Sequence, residues 1–200
     1  MNYLAHIYLS ESKEKVTIGN FIADGNGITG KSYKKFPKAI QVGILLHRQI
    51  DTFTDAHPIV KQSTKRLHKN YGHYSGIIVD IFYDHFLAKN WSKYSEISLE
   101  DEAQWFYTLL QNNFDTLPER TQYLLPYMVK ANWLVSYSNI KGIEDVLVGM
   151  DKRTKNLSHM HLATKELRMY YDEFEAEFTT FFEELRTFSH HKLNSLLDTI

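Results

Sequence analysis

The chain has 200 residues, 43% of them hydrophobic and 24% charged, with a formal net charge of −1. That length suits one domain with a sizeable core, and the charge balance gives no global pull toward nucleic acid or membrane. The absence of cysteine excludes disulfides and thiolate metal sites; any metal must be held by histidine, carboxylate or water, a donor set that suits Mn²⁺, Mg²⁺, Fe or Zn²⁺.

Residues 2–10, with Tyr3, Leu4, Ala5, His6, Ile7, Tyr8 and Leu9, read as a short helix, because little else in the chain reads as a strand to pair with it. This start lacks the basic, apolar pattern of a signal peptide, and no apolar run approaches the ~20 residues of a membrane span, so a cytoplasmic location is expected. A second short apolar segment, 16–24, ends in Asp24, with Asn20 one turn before it. Gly25, Gly27 and Gly30 then mark a turn or mobile loop; no Lys-Ser/Thr follows at the spacing of a phosphate loop.

Lys31, Lys34, Lys35 and Lys38 make a basic connector, within which Pro37 opens a helix predicted over 38–54. Asp55 to Pro58 breaks it. Pro58 starts another helix, with Lys61, Lys65 and Lys69 along one basic face. The helix predicted over 75–91 is apolar on every side apart from Asp80, Asp84 and His85, and so is expected to be buried. Ser98 caps a helix carrying Trp105, Phe106, Leu109 and Leu110. Pro118 turns into a helix predicted over 119–137, kinked at Pro126, and a shorter one follows over 140–152. From 153 to 189 there is neither glycine nor proline, and Leu157, Met160, Thr164, Leu167, Tyr171, Phe174, Phe178, Phe181, Leu185 and Phe188 recur at alternating spacings of three and four. This is a stripe on one long helix, which packs on its own domain or, in the sharper alternative, forms a homodimer seam. The expected architecture is an all-α, single-domain bundle over 1–200, of about eight or nine helices.

The candidate site residues are His6, Asp24, His47, Asp51, Asp80, Asp84 and His85, all in the first half. His47, Asp51 and Asp55 lie one helical turn apart, as do Asp80 and Asp84. Aspartates and a histidine in an apolar helix need partners, and a bound cation is the simplest one. Such an ion activates water and offsets charge on a phosphoryl oxygen. Arg48, next to His47, is placed to neutralise a phosphate. The plainer alternatives are that Asp51 pairs locally with Arg48, that Asp55 caps the helix at Pro58, and that each histidine is a satisfied core residue.

Several motifs resemble those of the bacterial acyl carrier protein phosphodiesterase family. They are Asn2 to His6, Gly19 to Asp24, His47 to Asp51 with Thr54 and Asp55, Asp80 to Leu87 with Asn90 and Trp91, Trp133 to Tyr137, and Val146 to Met150 with Arg153. The resemblance covers residues 2 to about 153 and fades over the C-terminal helix. It implies a helical fold distantly related to HD-type metal-dependent phosphohydrolases. It implies hydrolysis of the phosphodiester that links 4′-phosphopantetheine to a serine of holo-acyl carrier protein, with a divalent ion, typically Mn²⁺. It further implies metal ligands drawn from Asp24, His47, Asp51, Asp84 and His85, with His6 and Asp80 as further members, and catalytic roles for Asp24, Arg48, Asp84 and His85. An adjacent His-Asp pair of the HD type is absent; Asp84-His85 has the reverse order. Because carrier proteins are acidic, two basic windows, Lys31, Lys34, Lys35 and Lys38, and Lys61, Lys65, Arg66 and Lys69, are expected to dock the carrier, with a solvated helix face as the plainer alternative. Two competing readings are a metal phosphohydrolase acting on small molecules such as nucleotides, and a non-catalytic helical protein whose histidines and aspartates are structural or regulatory.

Overall fold

Prolines and capping side chains fix where the longer helices begin. In the computed structural model, which describes residues 2–199, Pro37 precedes α3 (Lys38–Ala56), Pro58 is the first residue of α4 (Pro58–Tyr71), and Pro118 precedes α7 (Glu119–Lys130). His57 Nδ1 accepts from the Ile59 amide, Ser98 Oγ from Asp101 at the start of α6 (Leu99–Asn112), and Asn139 Oδ1 from Gly142 at the start of α9 (Ile140–Arg153). Around these lie α1 (Tyr3–Tyr8), α2 (Glu14–Ile22), α5 (Ser75–Lys89), α8 (Trp133–Ser136), α10 (Thr164–Met169) and α11 (Tyr171–Thr199). No strand occurs among the described residues.

Helix α5 runs through the middle of the core, with Ile78, Val79, Ile81, Phe82, Tyr83, Phe86 and Leu87 buried and Ile77 and Asp80 on the side that opens to the cleft. The long α11 packs on α3, α4 and α5 and buries Phe174, Phe178, Phe181, Phe182 and Leu185 there. Each such side chain contributes ~1.5–3 kcal/mol of burial. From Leu167 to Leu185 most of the stripe is therefore used inside the chain, which gives the dimer seam expected as its alternative no support. Arg66 ties the two helices further: its Nη1 and Nη2 donate to Glu177 Oε2 and Oε1 at 2.8 and 2.7 Å.

Two boundaries differ from the sequence pattern. The helix predicted to run unbroken from 153 begins only at Tyr171. Before it, Lys155, Asn156 and His159 take left-handed backbone (φ 55°, 61° and 53°). The buried Asp151 carboxylate organises this loop, accepting from Ser158 Oγ at 2.6 Å and pairing with His161 Nδ1. Likewise α7 runs through Pro126 but stops at Lys130. Asn132, at φ 43°, turns the chain into the separate short α8.

The crossing of α2 and α3 matters most for the site. Gly19 and Gly43 face each other there with no side chain between the backbones. A Cβ on Gly43 would lie 2.6 Å from Asn20 N and 2.8 Å from Gly19 Cα, and one on Gly19 would lie 2.9 Å from Ile40 C. The close approach brings Asn20, one residue beyond Gly19, and His47, one turn beyond Gly43, to the same end of the crossing.

Candidate metal centre

Helix α1 is a single isolated turn and a half, too short to be stable alone. It is held by α5: Asp84, fully buried, accepts from the Leu4 and Ala5 amides at 2.7 and 3.3 Å, which satisfies free N–H groups at the α1 N-terminus. That anchor points His6 toward α3. There His47 and Asp51, one turn apart, meet it: His6 Nε2 is 3.3 Å from Asp51 Oδ1, and His47 Nε2 is 3.0 Å from Asp51 Oδ2. The two imidazoles stack with centroids 4.1 Å apart. Donor atoms of His6, His47 and Asp51 all fall within 4.8 Å of one another, a group that can hold a metal ion.

The protonation of His6 follows from its neighbours. Asn20 Nδ2 donates to the His6 carbonyl at 2.8 Å and to Ser10 Oγ at 3.0 Å, so the amide oxygen faces His6 Nδ1, at 2.8 Å. Nδ1 must therefore carry the proton, leaving the Nε2 lone pair aimed at the Asp51 carboxylate. A lone pair facing a carboxylate oxygen with no proton between them is unfavourable until a cation sits there, and His6 Nε2 indeed has no hydrogen-bond partner. His47 Nδ1 is buried without one as well. Burial, reinforced by the charge of His47, lowers the His6 pKa to about 4, so the ring is a neutral donor at pH 7. Burial alone would raise Asp51, but His47, with Nε2 3.0 Å from its carboxylate, holds its carboxyl well below the usual carboxylate range. Two imidazoles, a carboxylate and an outer amide that fixes the His6 tautomer match the donor types that a divalent ion takes.

The triad lies at the floor of a cleft of about 640 Å³. Asp24, Asp55 and Asp80 line it too, as do Tyr3, Trp133, Val146, Met150, Arg120 and Arg153. Burial pushes the Asp80 carboxyl up, and the charges of Asp51 and Asp55 push it the same way. Tyr3 is raised to about 12, by burial first and then by the charge of Asp24, against the opposing charges of Arg120 and Arg153.

The family model described as acyl carrier protein phosphodiesterase matches residues 1–185. This chain belongs to that family. Relatives named acyl carrier protein phosphodiesterase include one from Photorhabdus laumondii, 31% identical over 183 residues (91% of each chain). Others come from Yersinia pestis, 31% identical, and Escherichia coli, 30% identical, each covering 96% of this chain and 99% of the relative. No solved structure matches the chain. The acyl carrier protein phosphodiesterase match continues well into α11, beyond the point near 153 where the resemblance in the motifs fades.

Of the residues that the family resemblance puts forward, the structure brings His6, His47 and Asp51 together and sets Asp24 and Asp80 along the same cleft. It does not bring the other three there. Asp84 accepts from the Leu4 and Ala5 amides at the α1 N-terminus. His85 has both ring nitrogens occupied: Nδ1 donates to the Tyr137 carbonyl and Nε2 accepts from Tyr171 Oη, both at 2.7 Å. Neither is a free ligand. Arg48 turns away from the cleft and donates to the carbonyls of Gly30 and Ile28 at 2.8 and 3.0 Å, bracing the glycine loop that reads from sequence as mobile. The expected local pair of Arg48 with Asp51 is not formed; Asp51 faces the two histidines instead. Lys61, Lys65 and Lys69 are exposed on α4 and do not line the cleft. Sequence reasoning missed Asn20 as the residue that sets the His6 tautomer, and it missed Arg120. The Gly19-Asn20 pair inside a conspicuous motif is the signal that carried the first; nothing marks the second. Among the described residues no helix is long and apolar enough to cross a membrane.

Proposed function

We propose that this chain is a metal-dependent phosphodiesterase that cleaves the phosphodiester between 4′-phosphopantetheine and serine in holo-acyl carrier protein, releasing apo-carrier and 4′-phosphopantetheine. The observation that carries the reading is the unpartnered Nε2 of His6, aimed with His47 at Asp51 on the floor of the cleft, in a chain of this family. His6, His47 and Asp51 would hold the ion, with Mn²⁺ proposed as the one used. When bound, a divalent ion supplies an activated water near neutral pH and a counter-charge for the phosphoryl group. The chain's own residues prepare the site. Asn20 keeps the His6 proton on Nδ1, and Asp84 fixes the helix that carries His6. Trp133, Val146 and Met150 give the cleft an apolar wall against which the pantetheine arm can lie.

The test is incubation of the purified protein with holo-acyl carrier protein and Mn²⁺, read by intact mass. Loss of the phosphopantetheine mass, abolished by a chelator, is the expected result. No loss with any of several divalent ions, from folded protein, would discard the reading; faster turnover of free nucleotides than of carrier would replace it by a small-molecule phosphohydrolase.

The carrier is placed on the lysine face of α4. Lys61, Lys65 and Lys69 are exposed there, whereas Arg66 of the same basic window is engaged by Glu177. Reversing the three lysine charges is expected to raise KM for the carrier several-fold and to flatten its dependence on salt. Unchanged KM would remove this face from the docking surface.

A further inference from the structure

We propose that Arg120 and Arg153 form an anion clamp at the rim of the cleft, which seats the non-bridging oxygens of the substrate's phosphate; the assignment rests on the phosphodiesterase reading of the triad.

The cleft is otherwise acidic. Asp24, Asp51, Asp55, Asp80 and Asp145 all line it, and among the described residues the two arginines are its only guanidinium groups. An anionic diester approaching five carboxylates is repelled unless cations receive it. Both arginines are exposed while His6 and His47 are buried, so the arginines stand at the mouth and the triad at the floor. Tyr3 lies within the electrostatic reach of both.

Neither guanidinium is consumed by the acids around it. Among the described residues, Arg153, the last residue of α9, forms no ion pair or hydrogen bond, and Arg120 donates only Nη1, to the Gly25 carbonyl. That one bond pre-orients the fork. Gly25 is left-handed at φ 67°, and a Cβ there would lie 2.6 Å from Arg120 Cζ, so the guanidinium rests against a backbone that only glycine leaves bare. The loop is held to α7 a second time by Thr121 Oγ1, which donates to Asn26 Oδ1 at 3.3 Å. A planar fork with free N–H groups, held in place before ligand arrives, matches phosphate oxygens better than a lysine would.

Two anions fit this chemistry: the phosphate of the prosthetic arm and a carboxylate on the carrier's surface. Calorimetry on metal-stripped protein separates the clamp from catalysis. 4′-Phosphopantetheine is expected to bind about tenfold or more tightly than pantetheine, which lacks only the phosphate. Arg153→Ala should abolish most of that preference, and Arg153→Lys should restore part of it. Arg153 has no partner, so its loss should leave the thermal midpoint unchanged. With Mn²⁺ added, Arg153→Ala should raise KM for bis(4-nitrophenyl) phosphate as well as for holo-carrier. Equal binding of the two pantetheine compounds by the unmodified protein would overturn the clamp. So would a KM effect confined to the carrier, which would give the arginines to carrier carboxylates. If the unmodified protein hydrolyses no diester with any ion, the proposed function falls, and the calorimetric comparison still decides the clamp.

Discussion

Asp51→Asn is expected to abolish metal binding and hydrolysis while leaving the protein folded. Asp51 is the only anion in the triad, and its two oxygens face the two Nε2 atoms at 3.3 and 3.0 Å. Asparagine keeps the shape and removes the charge that attracts the ion. Losing an outer partner of a metal ligand costs ~10–100-fold in affinity or activity, and a direct ligand should exceed that. Metal-free protein should respond in the opposite direction. The new amide can donate to the His6 Nε2 lone pair, which has no partner now, so the opposition between lone pair and carboxylate disappears. Metal content by plasma mass spectrometry, thermal midpoint with and without chelator, and turnover of holo-carrier read the three effects separately. A variant that retains metal at the stoichiometry of the unmodified protein would show that the triad is not the site.

The same substitution at position 84 has a different logic, and the contrast shows what the sequence could reveal. Asp84 and Asp51 look alike in the sequence: each is an acid one turn from another candidate ligand on a helix. Periodicity separates them only if the helix has an inside and an outside. Helix α3 does, and its His47 and Asp51 share the cleft face. Helix α5 is buried on most sides, with Ile77 and Asp80 facing the cleft, and among so many protein neighbours spacing alone does not say which one a side chain reaches. Asp84 meets the amides of α1, and His85, about 100° further round, meets Tyr137 and Tyr171. The rotation also explains Arg48. It follows His47 in the chain but points to another side of α3, where it reaches the glycine loop. Arg120, far away in sequence, occupies the cleft instead. The helix starts were legible because Pro37, Pro58, Pro118 and Ser98 act locally. The break before α11 was not, since it depends on Asp151 reaching forward to Ser158 and His161 and on left-handed backbone at residues that are not glycine.

The largest effect on stability is expected from Gly43→Ala. In most helices an alanine in place of glycine stabilises by ~0.5–1 kcal/mol. Gly149 is the internal control: it is exposed on α9 with nothing near the position of a Cβ, so Gly149→Ala should show that gain. At Gly43 the sign reverses. The added carbon would lie 2.6 Å from Asn20 N and 2.8 Å from Gly19 Cα, and both are backbone atoms that cannot rotate away. The two helices must separate, and overpacking of that kind costs ~1–3 kcal/mol, occasionally more. Rigid contact on both sides puts Gly43 at or above the upper end. The consequence reaches the chemistry, because the same crossing sets Asn20, and through it His6, against His47 and Asp51. Chemical denaturation should show the loss of stability. Mn²⁺ titration of whatever fraction stays folded should show weaker binding, although no donor atom has been changed. If Gly43→Ala is as stable as the unmodified protein, the close crossing is not what holds α2 against α3. If it is destabilised but binds Mn²⁺ with undiminished affinity, the triad forms from α1 and α3 alone, and Asn20 is not needed to present His6.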